Sequence, residues 1–148
     1  MAEETLEFSL PVAEDRVLAF AEAVGEDNPV ILDAESARRA GFPSNVAPPT
    51  FTVTQIFEVP RDERERRLGA DLRYERVLHG EQEFVYKRLP VAGEKLTGSM
   101  RISKDITKEG KRGGKMRFVT YESVFTDDDG HEVLTALYTL IETSKDAG

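Results

Sequence analysis

The sequence predicts an α+β domain in which an antiparallel sheet wraps around a buried central helix. In the first third of the chain, apolar residues recur at helical spacing. Beyond Leu72 the period changes to two, in four runs separated by turn signals. Between these halves lies a Pro-led apolar stretch whose length suits a buried helix.

Leu6, Phe8 and Leu10 alternate with polar neighbours and predict a short strand that Pro11 stops. Over residues 13–24, Val17, Leu18, Ala21 and Val24 fall on one helical face, with Gly25 placed to cap the C-terminus. Asp33 can cap a second, short helix over 34–40 that Gly41 ends, which leaves 26–32 as a loop. The stretch Val46-Ala47-Pro48-Pro49-Thr50-Phe51, continuing through Val53, Ile56 and Phe57, predicts a third helix, buried on its apolar side. The run 61–67 mixes both charge signs without an apolar face and reads as a solvated loop or helix end. Candidate strands follow at 76–89, 95–108, 116–126 and 132–141, with turns at 110–115 and 127–130. The last run is apolar on both faces, as an interior strand covered by a helix or a partner is.

Composition narrows the function. A chain of 148 residues, 39% hydrophobic and with eight Phe and four Tyr, can bury a core without staples, so one domain over 1–148 is expected, its core at about 6–142. With 28 acidic against 20 basic side chains the net charge of -8 repels nucleic acid and anionic lipid. The absence of cysteine excludes disulfides, thiolate metal sites and a Cys nucleophile, and neither a metal nor a cofactor is expected. The acidic start Met1-Ala2-Glu3-Glu4-Thr5 is unlike a signal peptide, and no apolar run approaches the roughly 18 residues of a membrane span; a cytoplasmic protein is expected.

Adding water to an enoyl thioester, or removing it, requires one group to hold and deprotonate the water and another to move a proton at the neighbouring carbon. Two titratable side chains must converge. The segment Gly25-Glu26-Asp27-Asn28-Pro29-Val30-Ile31-Leu32-Asp33 resembles the active-site segment of MaoC-like hydratases and dehydratases, of the form Gly-Asp-x-Asn-Pro-Leu-His-x-Asp. Gly25, Asn28, Pro29 and Asp33 match it. Glu26, one methylene longer, stands where the family has Asp, and Ile31 stands where it has the catalytic His. Loss of one positioned acid-base group costs about 10² to 10⁴ in rate, so the resemblance implies a vestigial site.

Two further motifs are similar to one branch of that family, the non-catalytic HadA- and HadC-type subunits of (3R)-hydroxyacyl-ACP dehydratases. The first is Val46-Ala47-Pro48-Pro49-Thr50-Phe51. The second is Val77-Leu78-His79-Gly80-Glu81-Gln82-Glu83-Phe84, running into Lys87-Arg88-Leu89-Pro90-Val91-Ala92-Gly93-Glu94-Lys95-Leu96. The resemblance implies a hot-dog fold and a subunit that pairs with a catalytic MaoC-type chain supplying Asp and His. This chain would then contribute a shared sheet, a long central helix and one wall of a channel for acyl-ACP or acyl-CoA. Asn28, Pro49, Thr50, Phe51 and His79 are the expected substrate-binding positions, with free N–H groups at the helix start able to hold an oxyanion.

Three alternatives stay open. Glu26, paired with His79 if the fold joins them or acting with a water, can make a homodimeric hydratase or thioesterase. The chain can be a non-enzymatic acyl-thioester-binding protein. Arg61, Arg64, Arg66 and Arg67 can face an acidic carrier as a basic patch, against the plainer reading of a solvated surface. His131, beside Gly130 in a tight turn, reads as solvated.

Overall fold

The computed structural model describes residues 4–145; the acidic start Met1-Ala2-Glu3 and residues 146–148 lie outside it. Strand β1 (Leu6–Pro11) buries Leu6 and Leu10. Helix α1 (Glu14–Ala23) buries Val17 and Ala21. It ends as the sequence predicts: Gly25, at φ 71°, donates its N–H to the Glu22 carbonyl and Glu26 donates to Ala21, at 3.1 and 2.8 Å. This pair of bonds satisfies two carbonyls that a helix C-terminus otherwise leaves open.

The stretch expected as a loop contains a single helical turn, α2 (Pro29–Leu32). Pro29 suits its first turn, and the Asn28 side chain accepts the Val30 N–H at 3.2 Å. Helix α3 (Ala34–Arg39) carries its expected cap, with Asp33 accepting the Ser36 N–H at 2.9 Å.

The long buried third helix is replaced by three pieces. Phe51–Thr54 is a 3-10 turn that runs into α4 (Gln55–Glu58), and helical geometry stops at Val59, with φ -127° and ψ 86°. Pro60 is the cause, because its ring disfavours helical backbone in the residue before it. Beyond this break α5 (Arg61–Leu68) resumes and ends on Gly69 at φ 72°. Phe51, Gln55 and Val59, four apart, are buried, whereas Ile56 and Phe57 are 56% and 72% exposed. A helix advances roughly 100° per residue, so the inward bearing of Gln55 turns its two successors outward.

Helix α5 also corrects the expectation of a solvated segment, since Arg64 and Leu68 are buried. The missing apolar face is supplied by aromatic rings, described below.

All four candidate strands form: β2 (Val77–Tyr86), β3 (Lys95–Glu109), β4 (Lys115–Thr126) and β5 (Glu132–Thr143). With β1 they make an antiparallel sheet in the order β1-β3-β4-β5-β2. β5 lies inside the sheet and β2 is an edge. Leu10, Val17, Phe51, Phe125 and Leu134 belong to one core cluster, and Leu6, Val59, Leu68, Tyr121 and Leu140 to a second. The five-stranded sheet with its broken inner helix is a hot-dog fold.

Candidate functional site

The segment 25–33 is held by its own backbone. Glu26 accepts the N–H groups of Asp27 and Asn28 at 3.1 and 3.0 Å, so its carboxylate closes the turn that follows α1. Asn28 and Asp33 cap α2 and α3 in succession. Ile31, at the position of the family's histidine, is 4% exposed and packs in the first core cluster. Buried Asn45 donates its amide to the Ile31 carbonyl at 2.8 Å, and Val46 donates its N–H to the Val30 carbonyl at 3.0 Å. Ala47 and Ala92 bond in turn to Pro90 and Asn45, at 2.9 and 2.7 Å. The Val-Ala-Pro-Pro motif and the 90–94 turn therefore clamp the segment from behind.

The expected substrate-binding positions separate. Pro49 and Thr50 are exposed, and the Pro49 carbonyl accepts the Tyr86 hydroxyl, whose pKa burial pushes up to about 12. Phe51 is 1% exposed and meets Phe20 edge-on at 5.8 Å, which makes it a core residue. At this helix start Phe51 donates its N–H to Pro48 and Val53 donates to Thr50, at 2.9 and 3.1 Å, so two of the presumed free donors are engaged.

His79 lies on edge strand β2 and stacks on Tyr138, with ring centroids 6.4 Å apart and planes 11° from parallel. Among the described residues no hydrogen bond, ion pair or ring contact joins it to Glu26. It lines a cavity of about 590 Å³, whose walls include Ile56, Val59 and Leu140 on the apolar side and Arg64, Gln82 and Tyr138 on the polar side.

The inner wall of that cavity is a network that inspection of the charged run misses. Arg64, 6% exposed, donates to the hydroxyls of Tyr138 and Tyr74 and to Glu65, and its guanidinium lies 4.6 Å from the Tyr121 ring centroid. Glu65 accepts the hydroxyls of Tyr121 and Tyr74 at 2.7 and 2.8 Å. Burial pushes the Glu65 carboxyl up, but these two hydroxyls and the Arg64 charge outweigh it and hold the group below the ordinary range. Burial raises Tyr138 to about 12, against the opposing pull of Arg64, and the tyrosines here stay neutral at neutral pH, Tyr74 and Tyr121 donating to Glu65 and Tyr138 accepting from Arg64. The available signal was cross-strand register: Tyr121 and Tyr138 are directly paired between β4 and β5.

Asp127, Asp129 and His131 place ligand atoms within 4.8 Å of one another in the β4–β5 turn. Asp127 is already engaged by the N–H groups of Asp129 and His131 and by Arg88, and the His131 side chain is 79% exposed. This turn is a solvated hairpin closed by its own backbone and by Arg88. No helix among the described residues is long and apolar enough to cross a membrane.

Residues 1–136 match the family described as FAS1-like, dehydratase domain region. A UPF0336 protein of Clavibacter michiganensis subsp. michiganensis is 42% identical over 137 residues, covering 92% of this chain and 87% of its own. The fold superimposes on a chain of the HadBC (3R)-hydroxyacyl-ACP dehydratase complex of Mycobacterium tuberculosis with TM-score 0.77 and 25% identity, covering 95% of this chain and 98% of that one. It also superimposes on a chain of the ChsH1-ChsH2 complex of the same organism, with TM-score 0.71, 23% identity and coverage of 99% and 85%, a likeness of fold alone.

Proposed function

The chain belongs to the FAS1-like dehydratase-region family, shared with the UPF0336 proteins, and from that premise we propose that it is the non-catalytic, channel-forming subunit of a (3R)-hydroxyacyl thioester dehydratase. It acts with a MaoC-type hot-dog partner that supplies Asp and His, on acyl-ACP or acyl-CoA in cytoplasmic fatty-acid elongation. One observation carries this reading: the position of the catalytic histidine is filled by Ile31, turned into the core, while the neighbouring carboxylate of Glu26 is spent on its own turn. An isoleucine neither binds nor transfers a proton.

The shape of the rest supports a shared site. The largely apolar cavity beside α4 suits an acyl chain. Its rim includes exposed Ile56, next to exposed Phe57, and edge strand β2 carries exposed Leu78 and Val85. A partner's strand laid along β2 would satisfy that edge and cover these side chains. The HadBC and ChsH1-ChsH2 structures are complexes of two subunits, which accords with such a partner.

The test is reconstitution. The purified chain alone is expected to leave crotonyl-CoA unhydrated, and adding a MaoC-type partner with intact Asp and His is expected to give hydration above that of the partner alone. Hydration by the lone chain that disappears in Glu26→Gln overturns the division of labour. Thioester hydrolysis by the lone chain points to a thioesterase instead. Acyl-thioester binding without activity beside the partner points to a binding protein.

A further inference from the structure

The outer face of the sheet, opposite the cavity, carries a charge pattern that the dehydratase reading does not use. Glu81, Thr139, Thr120 and Lys104 are aligned in register across β2, β5, β4 and β3. All four line one shallow groove, together with Ile106, Phe118 and Leu137. The next row, Ile141, Phe118 and Ile106, is apolar and half-exposed. On the other side, Glu83, Leu137, Glu122 and Arg101 align in the same strand order. Acidic side chains therefore stand along β2 and basic ones along β3 in these two rows, with the threonine pair, Leu137 and Glu122 between them and an apolar row alongside. Glu81, Glu83 and Lys104 are exposed and take part in no ion pair among the described residues. Lys108, further along β3, caps the Phe118 ring at 5.5 Å.

This pattern is its own complement. A two-fold axis lying in the plane of the interface, parallel to the strands and between β4 and β5, exchanges β3 of one copy with β2 of the other. The row Glu-Thr-Thr-Lys then meets Lys-Thr-Thr-Glu. Arg101 of each copy, bridged to Glu122 of its own β4 at 2.8 Å, comes over Glu83 of the other, and the apolar rows meet alongside. Stacked sheets lie about 10 Å apart, a gap that Lys and Glu side chains span from opposite sides. We propose that this outer sheet face docks onto the same face of a second copy of the chain, in an isologous back-to-back pair held by Lys104 against Glu81 and Arg101 against Glu83. The proposal is independent of the edge of β2, whose unpaired backbone lies in the sheet plane and stays free for a catalytic partner, so both contacts can coexist in a four-chain assembly. The footprint is roughly 20 Å by 20 Å, below the roughly 800 Å² per partner of a standard interface, so the contact is reversible and salt-sensitive.

Sedimentation velocity of the full chain tests it, at about 100 μM in low and high salt, on wild type and on two variants, Arg101→Glu/Lys104→Glu and Glu81→Lys/Glu83→Lys. All four positions are exposed, and circular dichroism verifies folding. Wild type is expected to pair in low salt and to dissociate in high salt. Each variant, now carrying one sign on both edges, is expected to weaken self-association by about tenfold or more. Mixing the variants sets an acidic face against a basic one and is expected to restore a pair. A wild type that stays monomeric in low salt, variants that associate as wild type does, or a mixture that stays apart each overturns the proposal.

Discussion

Arg64 on α5 donates a 2.5 Å hydrogen bond to the hydroxyl of Tyr138 on β5, 74 residues further along the chain. The contact ties the helix after the Pro60 break to the floor of the sheet, and it places a cation where the apolar pattern alone would place a leucine. Because Glu65 and three tyrosine hydroxyls are arranged around this guanidinium, its removal leaves polar groups without their partner.

Arg64→Leu is therefore expected to lower unfolding free energy by about 3 kcal/mol, measured by urea denaturation. Arg64→Lys recovers little of it, since an ammonium cannot reproduce a fork that reaches Tyr138, Tyr74 and Glu65 together. A Lys variant as stable as wild type would show that charge alone matters here.

The Glu65 carboxyl titrates below its ordinary value of 4.5, so its stabilising contribution is fully present above that pH and fades as pH falls through the lower folded value. Glu65→Gln lacks this titration. The stability gap between wild type and variant is expected to be widest near pH 7 and to close steadily below about pH 4.5. Urea midpoints collected across that range report it, and a gap independent of pH would contradict the linkage.

Restoring the family's histidine does not restore the site. Ile31→His puts a polar ring into the core beside Val17 and Phe51, and is expected to cost about 2 kcal/mol while giving the lone chain no enoyl-thioester hydration. Hydration appearing in this variant would mean that position 31 can turn outward.

Phe57 is 72% exposed beside the cavity rim, where the proposed partner would cover it. Phe57→Asp is expected to leave thermal stability within a few degrees of wild type while weakening association with a catalytic partner by about tenfold or more, as read by titration calorimetry. A large stability loss with unchanged affinity would place Phe57 in the fold and outside the interface.

Several elements were determined locally and were legible in the residues. Gly25 had to close α1 because a left-handed backbone follows the last turn, Asp33 had to cap α3, and period-two alternation marked four strands, the first of which the structure shortens to Val77–Tyr86 while the other three run a residue or two longer. The missing histidine at Ile31 was legible for the same reason, since chemistry depends on which atoms a side chain carries. Tertiary structure alone decided the rest. Whether Ile56 and Phe57 lay inside depended on the bearing of a helix that Pro60 breaks, and the burial of Arg64 depended on Tyr121 and Tyr138 arriving from two distant strands to join nearby Tyr74. Hydrophobic period records which way a residue faces relative to its neighbours in sequence. It cannot record what waits across the fold, and there a guanidinium ringed by hydroxyls and aromatic faces is buried as readily as an aliphatic side chain.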